Sequence, residues 1–127
     1  MLSTVTAQAE SVDVTSTTTS WTDGNTYNVT GSVTITERIT VTGTVTLNLG
    51  ADATLIAEKG ITVSGDNRLT IGGTGTLFAG TTDGTNQTAD TDNASIGGGY
   101  GDAGGTITIH GGTVNATGGS AAGIGGG

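Results

Sequence analysis

Cysteine and proline are absent from this 127-residue chain, and basic and aromatic residues are scarce. Zero cysteine excludes disulfides and thiolate metal sites. Three basic residues stand against eleven acidic ones, for a net charge of −8. That balance argues against nucleic acid or an anionic membrane as a partner. No apolar run is long enough to span a bilayer. Hydrophobic residues make up only 32%, which is thin for the core of a compact globule. Ala7-Gln8-Ala9 has the form of a signal-peptidase site, but the basic and apolar regions that precede such a site are missing, so the triplet reads as chance. The chain is read as part of an exported protein.

Threonine and glycine are what the chain has in plenty, 29 and 25 residues. Threonine favours half-buried strands and glycine supplies tight turns. Between Val33 and Ala79 the pattern repeats every 22 residues. Val33 returns as Leu55 and Leu77, Ile39 as Ile61, and Val41 as Val63. The same step takes Leu47 to Leu69, Leu49 to Ile71, Gly43 to Gly65 and Gly50 to Gly72. Within each repeat the apolar residues stand two apart, on one face of a strand. Three short strands per repeat describe one coil of a parallel β-helix, and a fixed period of this size marks a solenoid. The predicted fold is all-β, a right-handed parallel β-helix of about four coils; the hand follows the usual rule for parallel crossovers.

Residues 1–24 read as an N-terminal cap or linker, with Trp21 lying on the first rung. Residues 25–127 read as the helix, whose first partial coil begins near Asn25, because Tyr27 falls 22 residues before Leu49. The step breaks after Ala79. Residues 81–93 have no periodicity and read as an insertion at one corner of the helix. Ala94-Ser95-Ile96-Gly97-Gly98-Gly99 then returns as Ala122-Gly123-Ile124-Gly125-Gly126-Gly127. Ile107–Ile109 fit the third strand of coil three, and Val114–Ala116 the first strand of coil four.

The words Gly104-Gly105-Thr106-Ile107-Thr108-Ile109-His110-Gly111-Gly112 and Ala122–Gly127, with the run Val33–Val41, carry a family resemblance. Together they resemble Gly/Thr-rich repeat domains of bacterial surface or secreted proteins, carbohydrate-binding or adhesin-like, in the pectate-lyase-like β-helix class. The resemblance covers about residues 25–127. It implies a β-helix, an extracellular or cell-surface location and a glycan or cell-surface ligand. It brings no motif of ligand-binding residues.

Catalysis is not expected. β-Helix enzymes acting on polysaccharides need clustered carboxylates, or a basic residue near calcium. Here Arg38 and Arg68 project onto different faces, and no acidic pair stacks coil on coil. His110 reads as an exposed residue beside a Gly-Gly turn, without partner ligands. The run Gly97-Gly98-Gly99-Tyr100-Gly101 is followed by no helix or lysine and fails as a phosphate loop. Its Gly98 takes the inward position of Val41 and Val63. An ice-binding face is not expected either, because the third-strand face reads Asn48, Thr70, Thr108 and no face carries a double threonine array.

The insertion holds the candidate sites. Asp83, Asp90 and Asp92 are oxygen ligands of the kind Ca²⁺ takes, although the spacing is not an EF-hand loop. No cofactor is otherwise expected. For a glycan, the candidates are Tyr100 with Asp90, Asp92 and Asn93, an aromatic platform beside planar polar groups. A different class of reading is a structural spacer or a self-assembling solenoid without a small-molecule ligand. Coil four stops in its second strand, which fits either a piece of a longer repeat array or head-to-tail self-association through the open coil.

Overall fold

The structure is a computed structural model that describes residues 10–84, 86–88 and 92–127. Ala7–Ala9, part of the cap or linker, and Asp90 lie outside the described residues.

Three parallel sheets run the length of a β-helix. The first holds β1 (Ser11–Asp13), β3 (Thr26–Val29), β6 (Thr44–Leu49), β9 (Arg68–Gly73) and β12 (Thr106–Ile109). A second holds β4 (Ser32–Ile35), β7 (Thr54–Ala57), β10 (Thr76–Ala79) and β13 (Thr113–Ala116). The third holds β2 (Ser20–Trp21), β5 (Ile39–Val41), β8 (Ile61–Thr62), β11 (Ile96–Gly97) and β14 (Ile124–Gly125). Every strand pairs in parallel with its equivalent one coil away, about 4.8 Å along the axis.

The alternation seen in the sequence sets the interior. Strand β6 is buried at Val45, Leu47 and Leu49 and exposed at Thr44, Thr46 and Asn48. In the second sheet Val33, Leu55, Leu77 and Val114 form one inward stack. Each of these side chains, once covered, contributes roughly 1.5–3 kcal/mol before chain entropy is subtracted. The 22-residue step holds here and between β5 and β8, where Ile39 meets Ile61.

The first sheet departs from that step. Leu69 pairs with Val45 rather than Leu47, and Ile71 pairs with Leu47 rather than Leu49. Tyr27 likewise pairs with Leu47, and Val29 takes the place beside Leu49. A slip of two residues keeps every side chain on its own face, so alternation cannot tell the two registers apart. The turn before β9 decides. Asn67 accepts the Gly43 N–H on its Oδ1 at 2.8 Å and donates from Nδ2 to the Ser64 carbonyl at 2.8 Å. Arg68 N–H then donates to the Gly43 carbonyl at 2.8 Å. Those contacts absorb two residues, and Leu49 comes to stand beside Gly73. The positive-φ glycine that ends β9 is thus Gly73 (φ 94°), not Gly72.

The corrected register rewrites the outer face. Thr26, Thr46, Thr70 and Thr108 form one unbroken row. The neighbouring rows read Thr44, Arg68, Thr106 and Asn28, Asn48, Gly72. Asn48 donates to Asn28 at 3.0 Å. One threonine row exists where the 22-residue step placed none, yet no second row accompanies it.

Pairing begins earlier than Asn25. Val12 of β1 sits on Tyr27, and Trp21 of β2 sits on Val41. The Trp21 and Tyr27 rings stack at 5.3 Å with an 18° interplanar angle. Trp21 Nε1 donates to the Thr18 carbonyl at 3.0 Å, and the Tyr27 hydroxyl accepts the Thr22 N–H at 2.8 Å. The two largest inward rings thus close the first rung while their polar atoms stay satisfied.

Candidate functional site

The candidate site residues gather at the corner between the second and third sheets. In coil two that corner is short, running from Ala57 to Ile61. Arg38 ties it together. Its Nε donates to Thr62 Oγ1 at 2.6 Å, Nη1 to the Lys59 carbonyl at 2.6 Å and Nη2 to the Ala94 carbonyl at 2.8 Å. A guanidinium forks to several acceptors in one plane, and here it joins three successive coils. Arg38 thus clamps these coils to one another.

Above Arg38 the insertion leaves β10. Thr81 is fully buried, and its hydroxyl accepts the Gly84 N–H at 2.9 Å. Asp83 accepts the Asn86 N–H on Oδ1 and the Asn86 side-chain amide on Oδ2, both at 2.9 Å. Its carboxylate closes its own turn. Thr88 returns the chain to the helix, donating to the Glu58 carbonyl at 2.6 Å.

The chain re-enters the core at Ala94, Ser95 and Ile96, all buried. The Ser95 hydroxyl donates to the Thr117 carbonyl of coil four. Gly98 continues the inward rank of Val41 and Val63, where the Asp102 carbonyl takes the room of a side chain. Gly99, Tyr100, Gly101 and Asp102 then form a turn, closed by Asp102 N–H to the Gly99 carbonyl at 2.8 Å. Gly101 has φ 75°, which a type II turn demands at its third position. Tyr100 stands at the second position and projects outward, 78% exposed. Its N–H donates to Asn93 Oδ1 at 2.8 Å, which joins the end of the insertion to the turn.

An open cleft of about 560 Å³ lies beside Tyr100. Asp92, Tyr100 and Gly101 form one wall, and Ser120, Ala121, Gly126 and Gly127 the other. The second wall is the equivalent corner of coil four, since β11 and β14 pair Ile96 with Ile124 and Gly97 with Gly125. Of the four glycan-site residues expected from the sequence, Tyr100, Asp92 and Asn93 come together, and Asp90 lies outside the described residues. Of the three carboxylates expected for calcium, Asp90 lies outside the described residues and Asp92 lines the cleft. Asp83 is engaged with Asn86 and does not line the cleft, and among the described residues no three metal-binding side chains gather.

Sequence reasoning missed Ser120, Ala121 and the glycines of the far wall. The signal was present, because the repeated Ala-X-Ile-Gly-Gly-Gly run puts Gly99 and Gly127 in equivalent places on adjacent coils. His110 is exposed, and its N–H donates to the Ile71 carbonyl at 2.8 Å.

The architecture defines a parallel β-helix with an open, aromatic-flanked cleft at one corner. No protein-family model, curated protein or solved structure matches the chain.

Proposed function

We propose that this chain is a non-catalytic extracellular module that binds glycans or adheres at a bacterial surface, through the cleft at Tyr100. The observation that carries the reading is the exposed Tyr100 ring beside Asp92 and Asn93 on the rim of an open cleft. Sugars present C–H faces to aromatic rings and hydroxyls to carboxylates and amides, and a few placed polar groups fix orientation. The ring is held by a tight turn on a rigid scaffold, the usual place for recognition. Screening the purified chain and Tyr100→Ala on a glycan array tests this. Binding by the parent chain and its loss in Tyr100→Ala are expected. Binding that survives the substitution sinks the assignment to this cleft.

A second reading is self-association along the helix axis. Strands β12, β13 and β14 are each outermost in their sheet, and Ile109 and Ile124 there are 44% and 45% exposed. Outer strands with apolar side chains are templates for pairing.

A further inference from the structure

Resting on the reading of the Tyr100 cleft as a glycan site, we infer that it selects sugars bearing a free, protonated amine over N-acetylated or acidic ones. The charges around the cleft carry the argument. Asp92 is the one charged side chain among the described residues that line it. A second carboxylate, Asp102, belongs to the same turn as Tyr100. Its Oδ2 and Asn93 Oδ1 each lie 3.5 Å from the place where a Cβ at Gly99 would stand. Carboxylates thus stand on both sides of Tyr100 in the chain, at positions 92 and 102.

The three basic residues of the chain belong to other places in the fold. Arg38 is committed to Thr62, Lys59 and Ala94. Lys59 follows β7 at the coil-two corner, and Arg68 opens β9 between Thr44 and Thr106. None of the three lines the cleft. A uronate or sialate entering it meets Asp92 with no basic side chain among the described lining residues, within a chain of net charge −8. An ammonium meets the reverse: a carboxylate to pair with and the face of an exposed tyrosine. N-acetylation removes the charge and both attractions. The two attractions at an exposed site together correspond to roughly tenfold in affinity, and salt screens part of it.

The test is calorimetric titration at about pH 6 and low salt with three tetramers: β1,4-linked glucosamine, its fully N-acetylated counterpart, and galacturonate. The glucosamine tetramer is expected to bind roughly tenfold tighter than the N-acetylated one, and galacturonate not at all. Asp92→Asn is expected to close most of that gap, while Asp52→Asn, an exposed turn residue outside the cleft lining, leaves it unchanged. Equal closure by both variants would assign the preference to overall charge and overturn the inference. Equal or tighter binding of the N-acetylated tetramer, still lost in Tyr100→Ala, overturns the amine selection and leaves the glycan reading standing. If no tetramer binds and the array is also blank, both fall.

Discussion

Leu49 stands beside Gly73, and its carbonyl oxygen occupies the space where a side chain at position 73 would begin. Leu49 itself is fully buried, and its side chain reaches past the next coil toward Gly112, which follows β12. Gly73 is glycine for two reasons that act together: φ is +94°, and the backbone of β6 is in contact. Gly72 has ordinary φ and open space around its Cβ position.

Gly73→Ala should therefore cost about 2 kcal/mol or more, while Gly72→Ala should shift stability by less than about 1 kcal/mol. Urea unfolding of the two variants measures the difference. Equal stability in both would contradict the two-residue slip, and a larger loss in Gly72→Ala would point to the 22-residue register instead.

Leu55 is fully buried between Val33 and Leu77. Truncation to alanine is expected to cost about 2–5 kcal/mol. Leu55→Asp places an unpaired carboxylate in the same stack and is expected to unfold the domain. Circular dichroism with a thermal scan checks it, and an unchanged Tm would contradict the inward stack.

Arg38→Lys should be nearly as damaging as Arg38→Ala. One ammonium cannot reach Thr62, the Lys59 carbonyl and the Ala94 carbonyl from a single position. A loss of about 2 kcal/mol is expected, since hydrogen bonds from a charged donor are the stronger kind. Amide exchange should speed up at Ile61 and Ile96, which flank this corner, before it does at Leu47. Uniform acceleration across all three would argue against a local clamp.

Tyr100→Ala should leave stability unchanged within about 0.5 kcal/mol, because surface substitutions away from special features do so and the ring is 78% exposed. Coupled with lost glycan binding, an unchanged Tm separates recognition from folding.

Association along the axis should strengthen as salt rises, because screening relieves the repulsion between copies of net charge −8. Sedimentation of the parent chain and of Ile124→Asp reads this directly. A single monomeric species at high concentration and high salt removes the second functional reading.

The sequence by itself determined the β-helix. Alternation chose the buried face of each strand, and the 22-residue step placed Val33 under Leu55 and Ile39 under Ile61. The break in the step after Ala79 pointed to the stretch before Tyr100, where Asn93 accepts the Tyr100 N–H and Asp92 lines the same cleft as the ring. Only the tertiary structure decided the register of the first sheet, because a two-residue slip is invisible to a two-residue period and the hydrogen bonds of Asn67 had to break the tie. The cleft followed the same logic. Its near wall is local in sequence, whereas Ser120, Ala121, Gly126 and Gly127 reach it only because the next coil stacks on β11. Asp83, close to Asp92 along the chain, turned instead to Asn86, since a carboxylate beside free backbone N–H groups closes its own turn first.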